Sequence, residues 1–567
     1  MLTNKNEVED LVEALEVRYL ANQEGNLYFA LATDFLDADA ETKHKDSILL
    51  KLASERIIEL NKKYTPDSLN DKFFLFHRPR TWNSRENKWM GFERKRGKLT
   101  ALNSLIRTGK GDEFSHIVGR YGALQGTKYI ITLDSDTQLP REAAWKVIAT
   151  MAHPLNHPVL DPIKKRVIEG YGILQPRVAS VFPKDETSLY LRMQGDMKGV
   201  DPYTRASSDV YQDIFGEGSY IGKGIYDVAV FEQVLENTFQ DNRILSHDLL
   251  EGCYVRSGLL SDVLLYEQNP SQYKTDVKRH HRWIRGDWQV GAWMMPYVTL
   301  RNGKMVPNRL SMLSRWKILD NLRRSILPLA LLLLLLLGWS VLPFPWFWTL
   351  AVTIIVLLPV VAAAILQLVR RPEELNLKAH ISEVWSSLRD ILRSFVFGLA
   401  VLPYEAFRYT DAIIRTNWRM IVSRKKLLEW IPSAAVVRHL NNNIWSNYLS
   451  MWIGPAIAII CVFLFLYSNH PAFFVASPIL ILWIIAPAIA WRVSIPELEE
   501  EPNLSTEQYD FLHKAARKTW AYFDEFVTEQ ENWLPPDNFQ EHPEPGHRAS
   551  YNRDEYWHGF ARQSRCL

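Results

Sequence analysis

The triplet Asp134-Ser135-Asp136 closes an apolar run, KYIITL at 128–133. Two carboxylates two positions apart in a bend can address one hard divalent cation, which takes oxygen ligands. Such a cation neutralises the charge that grows on a diphosphate as a sugar leaves it. The same triplet also occurs in ordinary polar turns. Its place at the carboxyl end of a strand, where open α/β sheets bind their ligands, favours the chemical role. Lys98 and Asn103, in GKLTALN, follow a basic, aromatic loop. A lysine near a helix start can hold phosphate as a point charge, and a solvated basic loop is the plainer alternative. In Ser246-His247-Asp248-Leu249-Leu250-Glu251-Gly252, Asp248 is either a helix cap or a general base that takes a proton from an attacking hydroxyl. His247 beside it is a metal ligand, a proton partner or simply hydrogen-bonded.

Two further segments complete the candidate set. FGEGSYIGKGIYD at 215–227 is dense in glycine and has no Walker pattern, which argues against a P-loop ATPase. Its glycines let a backbone approach a sugar, with Gly218 and Tyr220 as candidate acceptor contacts, or they make an irregular turn pair. KRHHRWIRGDWQ at 278–289 interleaves Lys278, Arg279, Arg282 and Arg285 with Trp283 and Trp288. Arginine suits a departing diphosphate and tryptophan the face of a sugar ring. A juxtamembrane basic segment attracted to anionic membrane lipid reads the same way.

The elements that must position these residues alternate. Helical spacing over Val8 to Ala21 and Ser47 to Leu60, and a helix from Leu99, separate strands at Asn26 to Phe35, Phe73 to Phe76, Lys128 to Leu133 and Gly170 to Pro176. A helix starts near Arg141. This order predicts an α/β domain of Rossmann-like type, with a mostly parallel sheet covered on both faces. Asp34 and the Asp134/Asp136 pair end two of its strands.

The chain has 567 residues, room for three or four units at ~150 residues each. Lys+Arg 66 against Asp+Glu 64 leaves a net charge of +2, which excludes a polybasic nucleic-acid binder in bulk. Cys253, Cys461 and Cys566 are too few for a disulfide framework or a cysteine zinc site. The apolar residues gather after Ser325. Runs at 325–342 and 347–369, then at 449–467 and 472–491, predict four transmembrane helices in two pairs. Edge tryptophans Trp346, Trp348, Trp452 and Trp491 fit interfacial belts. Arg315, Lys317, Arg323 and Arg324 before the first run, and Arg370 and Arg371 after the second, place both flanks in the cytoplasm. The polar start Met1-Leu2-Thr3-Asn4-Lys5 carries no apolar leader, so the first ~310 residues are expected on the same side. Ile391 to Arg424 reads as an amphipathic interfacial helix in preference to a further span.

In this order the motifs resemble the processive GT-A glycosyltransferases (the nucleotide-diphospho-sugar transferase fold), the cellulose synthase-like group. More narrowly, FHRPRTWN, TLDSDTQLPR, FGEGSYIGKGIYD, SHDLLEGCYVRSG and ENWLPPDNFQE resemble the cyclic β-1,2-glucan synthases, glycosyltransferase family 84, up to about Arg548. The resemblance implies UDP-glucose as donor, a growing glucan as acceptor, inversion at the anomeric carbon and a β-1,2-glucan product. It also implies a multi-pass protein of the bacterial inner membrane with its catalytic domain in the cytoplasm. Asp34 would contact the uridine end and Lys98 the diphosphate. Asp134 and Asp136 would hold UDP and Mg²⁺ or Mn²⁺, and Asp248 would be the base. Arg282 and Trp283 match an Arg-Trp pair whose Trp supports the acceptor, and Arg279 stands where the wider group has Gln.

The expected organisation is a GT-A domain at 1–310, transmembrane helices at 311–371, cytoplasmic or interfacial helices at 372–445, and transmembrane helices at 446–492. A short helical segment at 493–567 would begin a glycoamylase-like α/α domain. The resemblance also implies a first β-strand directly before residue 1, and further domains after ENWLPPDNFQEHP. The chain is thus expected to be a fragment. The alternatives are an inactive remnant serving as a membrane subunit and a synthase of another β-glycan, such as cellulose or hyaluronan.

Overall fold

The computed structural model describes residues 1–66, 70–181, 187–195, 209–369, 376–430, 443–468, 470–496, 504–529, 533–535, 538–540 and 546–548. Arg370, Arg371 and the closing segment with Cys566 lie outside the described residues. The chain divides into two compact units, Met1–Glu497 and Leu498–Leu567.

The first unit opens with α1 (Lys5–Ala21), whose Val8, Leu11, Val12 and Leu15 recur at three and four and are buried. Strand β1 (Phe29–Asp34) follows, then α2 (His44–Tyr64), which buries Leu49, Ala53, Ile57 and Leu60 along one stripe. Strand β2 (Phe73–Arg78) is buried at every position. The basic, aromatic stretch after it is not a plain loop. It forms a hairpin of β3 (Thr81–Asn83) and β4 (Lys88–Met90), across which the Trp82 and Trp89 rings meet at 5.9 Å. Helix α3 (Arg94–Thr108) starts five residues ahead of the expected Leu99, after a left-handed Glu93.

Next come β5 (His116–Val118), β6 (Tyr129–Thr132), β7 (Thr137–Gln138), α4 (Ala143–Ala152) and a hairpin of β8 (Val159–Asp161) and β9 (Arg166–Glu169). Strand β10 (Ile173–Val181) is followed by the short α5 (Leu189–Gly195) and α6 (Val210–Phe215). Then follow β11 (Gly224–Asp227), α7 (Val228–Leu235), α8 (Asp248–Val255), β12 (Ser257–Gln268) and α9 (Tyr273–Val290).

The strands build two main sheets. One has the order β1-β2-β5 and the other β6-β11-β10-β12-β7. The expected mostly parallel sheet is corrected to mixed pairing. Only β1 with β2 and β10 with β12 run parallel, whereas β5, β6, β7 and β11 pair antiparallel. The reason lies in the glycine-rich motif. Its second half is a strand, and Gly224, at φ +154°, lets β11 turn back against β10, where a Cβ would lie 2.2 Å from the Leu174 carbonyl oxygen. Strand β12 has no counterpart in the sequence reading, because Ser261-Asp262 interrupts its apolar run. The structure absorbs them where the β10–β12 register shifts at Pro176/Arg177, beside a proline with no N–H to donate.

The helical region follows: α10 (Met312–Ser340), α11 (Pro345–Val369), α12 (Leu377–Trp418) ending in a π-helical turn, α13 (Ile444–Ser450), α14 (Ile453–Tyr467) and α15 (Ala472–Val493). Trp339 and Trp483 are fully buried at its centre with rings 5.6 Å apart. Their indole N–H groups donate to Thr349 Oγ1 at 2.8 Å and to the Leu399 carbonyl at 3.0 Å. Among the described residues, α10 and α15 are long and apolar enough to cross a membrane. A third span results if α13 and α14, bent by 69°, act as one.

The helix expected at 391–424 is part of α12. It buries Phe397, Val401 and Tyr404 in one cluster and Leu402 and Ala406 in another, so it packs on more than one side. The basic flank of the first apolar run is not free either. Lys317 is buried against Glu217, and Arg323 and Arg324 pair with Asp320.

The second unit contains a helix at Thr506–Phe526, started by a reciprocal Ser505/Gln508 capping box, and a two-stranded antiparallel pair.

Gly224→Ala should break the β10–β11 pairing, because the added methyl meets backbone rather than a movable side chain. Overpacking of this kind costs ~1–3 kcal/mol. The expected result is a lower urea midpoint and faster proteolysis after residue 215. An unchanged midpoint would mean that β11 is dispensable to the sheet.

Candidate active site

Strands β1 and β6, the glycine-rich segment, the start of α8 and helix α9 surround one cavity of ≈ 1840 Å³. Asp34, Lys98, Asp134, Asp136, Tyr220, Asp248, Arg282 and Trp283 all line it. Asn103 and Gly218 do not. Asn103 is buried and accepts the Tyr226 hydroxyl at 3.0 Å. The Gly218 backbone is tied to Ser257, and its carbonyl receives the Lys317 ammonium at 2.7 Å. Both hold the walls and do not face the interior.

Asp134 is held by two ammonium groups. Lys95 Nζ donates to it at 2.7 Å and also reaches the Gly222 carbonyl at 2.7 Å. Lys223 lies 3.5 Å from its other oxygen and is ion-paired with Glu267. Burial alone would raise the Asp134 pKa, but the two ammonium groups outweigh it and hold the carboxyl at about 2. Asp136 shifts the other way, raised by burial and by the charges of Glu267 and Asp134. Among the described residues no group of three or more His, Cys, Asp or Glu is placed to hold a metal ion. Asp134 and Asp136 offer two carboxylates at the cavity wall.

Asp248 is the first residue of α8. The cap position belongs to His247, whose side chain makes no capping bond. The capping alternative for Asp248 is therefore set aside. Its carboxylate accepts from Ser246 Oγ at 3.3 Å. Gly222, at φ +87°, closes over it, and a Cβ there would stand 2.7 Å from Asp248 Oδ1. Burial raises the Asp248 pKa, the Asp134 charge adds to this and Lys95 opposes it. Glu251, one turn further on and buried, is pushed well above the usual carboxylate range by burial and by Asp248.

Helix α9 supplies the far wall. The Arg279 guanidinium lies 4.7 Å from the Trp283 ring centre and donates to Asp276, and Arg282 faces the Trp430 ring at 5.8 Å. Asp34, at the end of β1, sits in a bidentate pair with Arg78 at 2.9 and 3.0 Å, with Lys98 at 3.6 Å. A uridine contact there would share an occupied carboxylate.

Sequence reasoning missed Lys95, Lys223, Glu251, Glu267 and Trp430. Lys95 had a usable signal. Once the helix begins at Arg94, Lys95 and Lys98 fall three apart on one face. Trp430 lies 140 residues beyond the end of α9, and only tertiary folding brings it in.

The Arg78–Asp34 pair is buried, and removing one member leaves an uncompensated charge at ~3–5 kcal/mol. Arg78→Ala is expected to lower the urea midpoint sharply at pH 7, and Arg78→Met with Asp34→Asn to recover part of the loss. Burial raises Asp34, and Lys98 and Arg78 outweigh it, so its folded pKa is depressed. The pair therefore adds stability above the unfolded value near ~3.9, and the gain is lost as pH falls through the folded value. The gap between parent and Arg78→Ala should narrow on acidification. A gap that stays constant with pH would contradict this assignment.

No family model matches the chain. Over 549 residues, 96% of its length, it is 40% identical to the cyclic beta-(1,2)-glucan synthase NdvB of Rhizobium meliloti (strain 1021), and it spans 19% of that protein's length. The resemblance carried by the motifs thus extends along nearly the whole chain, which is similar to one segment, about a fifth, of a cyclic β-1,2-glucan synthase.

Proposed function

We propose that the chain carries the GT-A glycosyltransferase part of a membrane-bound synthase that uses UDP-glucose to elongate a β-1,2-glucan with inversion. The observation that supports this best is one cavity lined by Asp134, Asp136, Asp248, Arg282 and Trp283. The similarity to a protein named for glucan synthesis points the same way. Cation-rich walls suit a diphosphate. Lys95, Lys98, Lys223 and Arg282 would neutralise it, with Asp34 toward the uridine end. Asp134 and Asp136 would hold Mg²⁺ or Mn²⁺, which supplies further neutralisation of the leaving UDP. Trp283 would carry the acceptor sugar. The acceptor hydroxyl oxygen bonds to the anomeric carbon as the carbon–oxygen bond to UDP breaks, and Asp248 receives the hydroxyl proton. Burial moves its pKa upward, in the direction that favours a general base. In this reading the catalytic domain lies on the cytoplasmic side of the bacterial inner membrane, anchored by the apolar helices after residue 311. The segment after residue 497 begins a glycoamylase-like domain.

The test is a chimaeric synthase in which residues 1–567 replace the matching segment of the longer relative. Its membranes should incorporate radiolabelled glucose from UDP-glucose into a product with β-1,2 linkages; another linkage would give the alternative synthase reading. In the chimaera, Asp134→Ala and Asp136→Ala should each abolish metal-dependent UDP binding. Parent affinity in either variant, with Mn²⁺ present, would remove the metal role. Asp248→Asn should keep UDP binding and lower turnover by roughly 10²–10⁴, the usual worth of a positioned base. Unchanged turnover would rule Asp248 out as the base.

A further inference from the structure

Of the four basic side chains at 278–289, three have partners within the protein. Arg279 donates to Asp276, Arg282 faces the Trp430 ring, and Arg285 donates to the Leu427 and Glu429 carbonyls. Lys278 is exposed and has no hydrogen bond or ion pair among the described residues. One turn earlier on the same face of α9 stands Lys274. It is 9% exposed, and its ammonium donates to the Ser446 hydroxyl of α13 at 3.1 Å. Helix α12 supplies a third cation. It is tied to α9 at Glu405, by Tyr273, and at Asp411, by His281. Arg408 lies between these ties, and its Nε is buried with no hydrogen-bond partner among the described residues. Lys274, Lys278 and Arg408 do not line the cavity of the candidate active site.

These three cations feel one another. Burial lowers the pKa of both lysines. The charge of Lys278 lowers Lys274 further, and the charge of Arg408 lowers Lys278 further. The acids of the same turns are committed elsewhere. Asp276 takes Arg279 and Tyr190, Glu405 takes Tyr273, and Asp411 takes His281 and Arg415. A buried cation without a counter-charge is costly, so the cluster calls for an anion.

We propose that Lys274, Lys278 and Arg408 hold the phosphate of an anionic phospholipid headgroup where α9, α12 and α13 meet. The ammonium and guanidinium donors take the phosphate oxygens. An apolar surface beside the cluster favours a lipid over a free phosphate. Trp445 and Leu449, four apart on α13, and Phe407, next to Arg408, are exposed. Helix α13 meets the apolar α14 at a bend of 69°. A short helix at the membrane surface that turns into the membrane has this form, with its apolar side chains against the acyl chains. The site rests on the reading that the apolar helices after residue 311 enter a membrane.

The test is native mass spectrometry of the full chain in neutral detergent, with phosphatidylglycerol, phosphatidylcholine and glycerol 3-phosphate as probes. Phosphatidylglycerol should bind about tenfold or more tighter than phosphatidylcholine, and glycerol 3-phosphate should not displace it at equal concentration. Lys278→Gln and Arg408→Gln should each weaken phosphatidylglycerol about fivefold, the usual worth of one basic side chain at an anionic lipid surface. Arg393→Gln, elsewhere on α12, should leave the affinity unchanged. Lys278 is exposed, so its variant tests the site even if Arg408→Gln fails to fold. Equal affinity for the two lipids, or an equal loss in Arg393→Gln, would overturn the proposal. Glycerol 3-phosphate binding as tightly as the lipid would make the occupant a soluble phosphate and overturn it too. Membranes washed with alkaline carbonate separate this from the reading beneath it. A chain that washes off would overturn both, whereas a chain that stays and shows no preference for phosphatidylglycerol would overturn the headgroup site alone.

Discussion

The fold is organised around a concentration of negative charge that cannot stand alone. Asp134, Asp136, Asp248, Glu251 and Glu267 all line one partly dry cavity. Like charges held in a low dielectric repel one another, and burial adds to the cost. Lys95 and Lys223 offset it by standing between the carboxylates, and Glu251 offsets it by favouring its neutral form. Lys95, on the first turn of α3, and Gly222, over Asp248, both stand at this cluster. A diphosphate with its cation could take over the ammonium partners of Asp134 with little change in net charge.

The helical region is bound to this site and does not merely anchor it. Lys317 of α10 enters the α/β domain and holds Glu217 and the Gly218 carbonyl. His281 of α9 meets Asp411 of α12 at 2.9 Å. Arg285 and Gln289 donate to carbonyls at Leu427 and Glu429, just beyond α12, and Arg94 donates to the Leu428 carbonyl. Trp430 then lies against both Arg94 and Arg282. A displacement of α12 along its axis would therefore be felt at the cavity wall.

Much of this was legible in the residues. Helices α1 and α2 carried unbroken three-and-four spacing, and β2 and β6 were apolar runs flanked by polar turns. Asp134, Asp136, Asp248, Arg282 and Trp283, from separate motifs, line one cavity. The failures have physical causes. Strand β11 was hidden because glycine carries no strand signal, and its pairing depends on the absence of a Cβ at Gly224. Strand β12 was hidden by a bulge that places Ser261 and Asp262 within an apolar strand. Asn103 and Gly218 sit in the right motifs, but their hydrogen bonds go to Tyr226, Ser257 and Lys317 and not into the cavity. Lys95 was overlooked in favour of Lys98 because the start of α3 depends on a left-handed Glu93, which no local pattern announces.

The central claim is that a nucleotide diphosphate takes over the cations that now hold Asp134. Its most direct test is an electron cryomicroscopy structure of the chimaeric synthase with UDP and Mn²⁺. The expected map has density for the diphosphate between α3 and α9, with the Lys95 and Lys223 ammonium groups on phosphate oxygens and Asp134 turned to the metal. UDP bound elsewhere, with Lys95 still seated on Asp134, would contradict the account.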